Sequence, residues 1–225
     1  MMSWSVRIHL RSEAVFGSGQ STPGEVDLDV VHDADGFPYY GARALKGHWR
    51  EQTELAARVL AEGATPTAKA AELARVVGRC FGHGGINDGV QGGIHLNDAM
   101  VPAAIRILFA TAIQAQQLTP SEVLSSTTDI RQFTAVNDET GTVEKGSLRK
   151  FRVVRKDLVL EAELDGFDGL PEHEIGLLAA GLSSLRYLGT MKHRGKGWVS
   201  CALIHQGAEV TPKYVHELRK WVTAL

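Results

Sequence analysis

The sequence predicts an α+β fold in which helices cover one face of an antiparallel sheet. From Trp4 to Leu10 apolar residues alternate with polar ones, which is the pattern of a half-buried strand. Strand patterns return at 151–164 and 198–205, and helical patterns lie between and after them. Segments mixed in this order are typical of an antiparallel sheet with helices on one side. The 225 residues are expected to form one domain, 1–225.

The first half of the chain predicts two helices. Apolar residues recur every three to four positions over 42–62, which indicates a helix with one buried stripe, and Gly63 is expected to end it. Thr65 followed by Pro66 is typical of a helix start, because threonine caps the first turn and proline fits its first position. This second helix is expected to reach about Arg79.

The second half begins with an ambiguous region. A short strand is expected at Ile94–Leu96, and the apolar stretch 100–118 fits either a strand or a helix. The polar stretch at about 119–150 is expected to be an exposed insertion. Pro171 and the pair Thr211-Pro212 then mark the starts of two helices with apolar stripes.

Composition limits the compartment and the partners. The two cysteines, Cys80 and Cys201, lie far apart and lack the spacing of a metal motif, so a reduced, cytoplasmic protein is expected. No apolar run approaches the roughly 20 residues that span a bilayer, so no membrane association is expected.

Net charge and charge distribution indicate different partners. With 24 basic against 26 acidic residues the net charge is −2, which by itself argues against a nucleic-acid-binding protein. The cations are nevertheless clustered, and such clusters can follow a phosphate backbone while acidic surface faces elsewhere. The two clusters are Lys145, Arg149, Lys150, Arg152, Arg155, Lys156 and Lys192, His193, Arg194, Lys196.

The stretch 17–51 joins three features that suit a phosphate-bearing ligand. Gly17 and Gly19 allow a ligand backbone to approach closely. An acidic segment follows, and a basic helix start comes after it. Spacing of three to four residues puts the cations of that helix on one face, where they could hold phosphates near the helix N-terminus. These cations are Arg43, Lys46 and Arg50.

The same stretch resembles the signature of the RAMP superfamily of CRISPR-associated proteins, especially backbone subunits of type III effector complexes. The matching blocks are Val26-Asp27, Asp33, Gly36-Phe37-Pro38-Tyr39 and Ala44-Leu45-Lys46-Gly47 with Arg50. Three later blocks agree in order: Arg79–Gly82 with Ile94–Ala99, Gly146–Arg149 with Arg152–Val154, and Leu188–Gly197. Tyr40-Gly41-Ala42-Arg43 replaces the usual Ile-Pro-Gly-Ser. The Gly-Ser-Gly-Gln sequence near the start of the stretch and the Asp-Leu-Asp sequence resemble the III-D branch more than the III-A or III-B backbones.

The resemblance implies a ferredoxin-like, RNA-recognition-motif-like fold whose insertion at about 119–150 is thumb-like. It implies three partners: CRISPR guide RNA, the paired target RNA, and other subunits of a type III complex. Phe133, in the polar insertion, is expected to wedge against a base, whereas Trp49 and Trp198 are expected in the core. The expected RNA contacts are Gly17, Gly19, Arg43, Lys46, Arg50, Phe133, Arg149, Lys192, Arg194, Gly195, Lys196 and Gly197.

The resemblance further implies that Asp27 cuts target RNA, because the aspartate at this place is catalytic in active family members. A loop carboxylate can act as a base or hold Mg²⁺ or another divalent cation. Asp29 and Asp33 could share that ion, since Mg²⁺ prefers carboxylates and water. In the alternative interpretation, these aspartates only order the loop through turn-type hydrogen bonds.

Three other functions stay open from the sequence. The chain could be a non-catalytic scaffold subunit of the same complex. It could be a stand-alone guide-RNA-processing endoribonuclease that uses His32 and His48 as an acid–base pair. It could also be a small-molecule enzyme, for which the basic clusters would have no role.

Overall fold

A computed structural model describes residues 4–63, 67–83, 89–134 and 147–224. The strands are β1 (Trp4–Leu10), β2 (Gly82–His83), β3 (Val90–Gln91), β4 (His95–Leu96), β5 (Thr128–Phe133), β6 (Arg149–Val154), β7 (Val159–Asp165), β8 (Val199–His205) and β9 (Ala208–Glu209). The helices are α1 (Ala42–Glu62), α2 (Thr67–Phe81), α3 (Ala103–Gln114), α4 (Pro120–Thr127), α5 (Glu172–Ser184) and α6 (Thr211–Thr223).

The main sheet has the order β4-β7-β1-β8-β9, and its neighbouring strands are antiparallel. Helix α1 follows β1, and α5 connects β7 to β8. The four strands β4, β7, β1 and β8 with these two helices give the βαββαβ path of a ferredoxin-like fold. The expected α+β class and ferredoxin-like architecture are therefore confirmed.

The alternation in β1 sets the core. Its apolar residues are buried and the residues between them are half-buried, so one face of the sheet receives the helices. Trp49 on α1 is fully buried, and its indole N–H donates to the Leu178 carbonyl of α5 at 2.8 Å. This bond satisfies the polar edge of the largest buried side chain.

The structure corrects one predicted element and resolves one that the sequence left open. The region 151–164 contains two strands instead of one. A turn with Asp157 in the left-handed conformation (φ 67°) separates β6 from β7, and each joins a different sheet. The ambiguous stretch 100–118 contains the helix α3, in which no residue is fully buried. Its sequence is apolar throughout, like that of a core element, so the spacing of apolar residues alone did not distinguish a strand from a helix.

The insertion is larger than expected. It runs between β4 and β7 and contains α3, α4 and the antiparallel hairpin β5–β6. Threonine and glutamate close a capping box at the start of α4, where Thr119 accepts from the Glu122 N–H and the Glu122 carboxylate accepts from the Thr119 N–H. The hairpin corresponds to the thumb-like part of the prediction, and residues 135–146 at its tip lie outside the described residues.

The glycines of α5 permit close contact with its neighbours. A Cβ at Gly181 would lie 2.2 Å from the Thr53 Oγ1 and 2.7 Å from the Thr53 Cα, so α1 and α5 could not keep their present separation. We expect Gly181→Ala to lower the free energy of unfolding by about 1–3 kcal/mol in urea denaturation, as overpacked cores do.

Gly47 on α1 provides the matched control. Nothing lies within 4 Å of a Cβ built there. Gly47→Ala is expected to raise the free energy of unfolding by about 0.5–1 kcal/mol, because alanine loses less backbone entropy in a helix. Equal shifts in both variants would contradict the packing explanation.

Candidate nucleic-acid interface

Asp27 lies where the loop between β1 and α1 runs alongside β6. Its N–H donates to the Lys150 carbonyl at 2.8 Å, and its Oδ2 accepts from the Lys150 N–H at 2.7 Å. The Arg149 guanidinium is 3.8 Å from Oδ1, and the Asp27 side chain is 43% exposed. Asp27 is thus held by backbone bonds while its carboxylate stays open to solvent.

The same carboxylate borders a small polar cleft of about 260 Å³. The walls come from the loop between β1 and α1 and from the start of β6. The residues lining it are Ser21, Thr22, Pro23, Gly24, Glu25, Val26, Asp27, Leu148 and Lys150.

Asp29 and Asp33 have different surroundings from Asp27. The Asp29 carboxylate accepts from the Arg152 Nε at 2.8 Å and is largely buried. Asp33 accepts from the N–H groups of Asp35 and Phe37, as in an Asx turn, and its Oδ2 is 3.2 Å from the Arg106 guanidinium. Loop ordering, the alternative interpretation from the sequence, therefore describes both residues.

These contacts do not support the expected three-aspartate metal site. Within the ranges the structure describes, the single group of three histidine, cysteine or carboxylate ligands with mutual separations under 4.8 Å lies on α2 and α5. Asp29 and Asp33 do not join Asp27 in one ligand group, because their carboxylates point towards separate arginines. A divalent cation remains a prediction that involves Asp27.

An aromatic and basic surface continues from Asp27. Phe133 pairs with Arg149 in the β5–β6 hairpin, and its ring is 5.3 Å from that of Phe151. The Arg194 guanidinium and the Lys196 ammonium lie 5.5 and 6.0 Å from the Phe133 ring centroid, within cation–π range. We call this group the Asp27 surface: Asp27, Phe133, Arg149, Arg194 and Lys196.

The glycine-rich loop 188–197 brings its cations to this surface. Gly197 has φ 78°, and a Cβ there would be 2.0 Å from the Leu188 carbonyl oxygen, so the turn needs glycine. A single 3₁₀ turn, Lys192–Arg194, follows Met191 and presents exposed Lys192 and Arg194. At Gly195, which also has positive φ, the space beyond the backbone is open.

Two contacts anchor the loop. The Glu13 carboxylate accepts hydrogen bonds from Lys196 and Arg131, and the bond from Arg131 contributes most to lowering the pKa of Glu13. Burial raises the pKa of Tyr40, whose phenolic oxygen accepts a hydrogen bond from the Gly189 backbone. Lys196 is therefore partly neutralised, whereas Arg194 is available to a ligand.

Gly17 and Gly19 lie beside the acidic segment. Gly17 forms an isolated bridge with Val30, and the Asp29 N–H donates to the Gln20 carbonyl at 2.9 Å. Gly19 has φ 76° with open space beyond it, while Gly17 has no positive φ. Both lie in the loop that carries Asp27, as expected.

The three cations of α1 have separate environments and do not form one cluster. The Lys46 ammonium donates to the Ile94 carbonyl at 2.5 Å, and burial lowers its pKa. Arg50 pairs with Glu54 at 2.7 Å on the same helix, whereas Arg43 is exposed. Lys46 and Arg50 are therefore engaged in contacts within this chain.

The N-terminus of α1 is also occupied. The Ala42 N–H donates to the Asp98 carboxylate at 2.6 Å, so a carboxylate of this chain takes the position expected for a phosphate. The proposed acid–base histidines have local contacts as well. His32 Nδ1 is 3.0 Å from the Asp33 carbonyl oxygen, and His48 Nδ1 is 3.7 Å from Glu51.

Trp198 is not a core residue. It is 50% exposed and faces Tyr187, which is 42% exposed, across an isolated bridge. The sequence carried a signal for this, because Val199, Cys201 and Leu203 of β8 point inward and the alternation places residue 198 outward. The two exposed rings adjoin the glycine-rich loop.

In the part of the chain that the structure describes, no helix has the length and apolar character to cross a bilayer. A comparison with curated protein sequences gave no match.

The solved structures that are similar in fold include chains of two type III-B complexes. One chain of a type III-B Cmr-beta complex in the apo state matches with a TM-score of 0.62 and 15% identity, over 92% of this chain and 98% of that chain. A chain of the type III-B Cmr-beta complex bound to cognate target RNA matches with a TM-score of 0.58 and 15% identity, over 89% and 96%. The family model described as the RAMP superfamily matches residues 7–200. Because this match covers most of the sequence, the chain belongs to the RAMP superfamily.

Proposed function

We propose that this chain is a guide-RNA-binding subunit of a type III CRISPR effector complex and that Asp27 cleaves the paired target RNA. The observation that carries the proposal is the continuity of the Asp27 surface, where an exposed carboxylate lies 3.8 Å from the solvent-accessible Arg149 and Arg149 pairs with Phe133 across the hairpin. Cations grip a phosphate backbone and an aromatic face can stack on a base. The similar Cmr-beta chains come from complexes of which one holds cognate target RNA.

In the cleavage step the neighbouring 2′-oxygen of the RNA bonds to phosphorus, the bond from phosphorus to the 5′-oxygen breaks, and water protonates the leaving oxygen. This step requires a base, an aligned phosphate and stabilisation of the charge that develops. Asp27 can accept the proton of the attacking 2′-hydroxyl, because its carboxylate is exposed and held by the Lys150 N–H. Arg149 beside it can orient the scissile phosphate and stabilise negative charge on the phosphoryl oxygens.

A divalent cation fits this site only if Asp27 shares its coordination with water and the substrate phosphate. Mg²⁺ is commonly bound by one or two carboxylates with water and substrate phosphates. Asp27 would provide the protein carboxylate, since Glu25 and Asp29 are paired with Arg152 and Asp33 is paired with Arg106. When bound, such an ion would neutralise charge on the phosphate.

The apolar surface of α3 supports a role inside an assembly. Ile105, Ile107 and Leu108 are 45%, 66% and 68% exposed on one short helix. Exposed apolar side chains concentrated in this way are typical of protein–protein contacts. We assign α3 to contact with another subunit of the complex.

Arg194 offers the most direct test of RNA binding. We expect Arg194→Glu to weaken guide-RNA binding by the reconstituted complex and to reduce the slope of log Kd against log salt concentration by about 1, as loss of one phosphate contact does. The measurement is a filter-binding or anisotropy titration at several salt concentrations. Arg219→Glu, an exposed arginine on α6, makes the same charge change and should leave both quantities unchanged.

The same preparations distinguish the other functions. Salt-insensitive or absent RNA binding would contradict the proposal and favour a small-molecule enzyme. Metal-independent cleavage of repeat RNA by the purified chain, abolished in His32→Ala or His48→Ala, would favour a stand-alone processing nuclease. Normal RNA binding without any contribution of Asp27 to cleavage would favour a scaffold subunit.

A further inference from the structure

A second group of polar side chains lies away from the Asp27 surface, between α2 and α5. It consists of Glu72 on α2 and of His173 and Glu174 in the first turn of α5. One potential ligand atom from each residue lies within 4.8 Å of the other two. Glu174 is buried and the other two are half-buried, so the group lies at the seam of two packed helices.

The separation of one pair within the group, His173 and Glu72, suits a metal ion. His173 Nε2 is 3.3 Å from the Glu72 Oε1. The two side chains form a hydrogen bond that is longer than the roughly 2.7–2.9 Å of a charge-assisted one. Two ligands bound about 2.0–2.1 Å from a tetrahedral ion stand about 3.3–3.4 Å apart. The observed separation therefore corresponds to one edge of a tetrahedral coordination shell.

Neighbouring side chains hold the ligands in position. The His173 ring stacks on Trp221 of α6, with centroids 4.3 Å apart and an interplanar angle of 6°. The Arg79 guanidinium donates to Oε2 of Glu174. Outer-shell contacts of this kind orient ligating imidazoles and carboxylates.

The local charge also favours a cation. Two carboxylates against one guanidinium leave a formal excess of one negative charge beside an imidazole nitrogen. Lys69, on the same helix as Glu72, is directed instead to the carbonyls of Trp221 and Ala224 at the end of α6. One nitrogen and two oxygen ligands suit Zn²⁺ or a similar first-row ion better than Mg²⁺, which prefers oxygen ligands alone.

The geometry points to a divalent transition-metal site formed by Glu72, His173 and Glu174, which takes Zn²⁺ and ties α2 to α5. Water completes the coordination shell. The site is independent of RNA binding and of the Asp27 chemistry. Its role is structural, because a bound ion links α2, which leads into β2, to the helix that packs on α1 and α6.

The test uses the untagged full chain, freed of metal with a chelator, and titration calorimetry with ZnCl₂ and MgCl₂. We expect one Zn²⁺ per chain, no competition from excess Mg²⁺, and a higher melting temperature with Zn²⁺. His173→Gln and Glu72→Gln should each weaken Zn²⁺ binding by at least about 10-fold. Co²⁺ in the same site should show the visible absorption bands of a tetrahedral complex.

His216→Gln is the matched control, because His216 is an exposed histidine on α6. It should bind Zn²⁺ as the unchanged chain does. If His173→Gln does not fold by circular dichroism, Glu72→Gln decides, since the Glu72 side chain is 44% exposed and tolerates replacement. Absence of saturable binding, or unchanged binding in the variant that folds, would overturn the proposal. RNA binding is not measured in this test, so its failure leaves the proposed function unaffected.

Discussion

Asp27→Asn is expected to reduce cleavage of paired target RNA by about 10²- to 10⁴-fold, the usual contribution of a positioned general base. Asparagine keeps an oxygen that can accept the Lys150 N–H, so the loop should keep its conformation. Guide-RNA binding and assembly should therefore be unchanged. The measurement is single-turnover cleavage by the reconstituted complex, in which binding and chemistry are separated.

Asp157→Asn is the control for a general effect of removing a carboxylate. The Asp157 side chain is 69% exposed in the turn before β7, and asparagine tolerates its left-handed conformation. It should cleave at the rate of the unchanged complex. If Asp27→Asn cleaves equally fast, Asp27 is not the base, and the scaffold function is the better interpretation.

Arg152→Met is expected to lower the free energy of unfolding of the isolated chain by about 3–5 kcal/mol, because it leaves a buried carboxylate without its partner. The Arg152 side chain is only 7% exposed, and its Nε is 2.8 Å from Asp29, which is 13% exposed. For a chain of this size the melting temperature should fall by about 6–20 °C. Thermal denaturation followed by circular dichroism measures the change.

Arg149→Met, three residues earlier on β6, is the matched control. Arg149 is 63% exposed and 3.8 Å from its carboxylate, so its removal should cost less than about 1 kcal/mol. The double variant Asp29→Leu with Arg152→Met should recover part of the lost stability, because it removes both buried charges. Equal destabilisation by the two single arginine variants would contradict the assigned difference in burial.

These two predictions separate the roles of neighbouring aspartates. Asp29 and Arg152 fix the loop against β6 and β5, where Arg152 also lies 3.4 Å from the Thr128 hydroxyl. Asp27, two residues earlier on the same extended segment, faces outward. The buried pair thus positions the exposed carboxylate, and loss of the pair should impair cleavage as well as stability.

Much of the fold could be predicted from local periodicity. The alternation at Trp4–Leu10 gave β1, and the helical stripe over 42–62 matches α1 at both ends. These patterns are reliable because burial of one face imposes a period of two on strands and of 3.6 on helices. The spacing of apolar residues did not distinguish a strand from a helix at α3, because apolar residues occur on all sides of this helix and several are exposed.

The site could be predicted in composition but not in arrangement. Glycines, carboxylates and cations in the expected order identified the loop of Asp27, the hairpin of Phe133 and the loop of Arg194. Which charges are used within the fold depends on partners distant in sequence. Lys46 donates to Ile94, and Asp33 pairs with Arg106.

The sequence by itself determined the fold class, the family, several helices and strands and the set of candidate residues, because these depend on residues that are near one another along the chain. Only the tertiary structure decided that Asp29 is enclosed and Asp27 is open, and that Trp198 faces solvent while Trp49 is buried. The physical reason is that the free energy of a charge or an aromatic ring depends on its solvent exposure and on its contacts. Those contacts come from strands and loops more than 100 residues away along the chain.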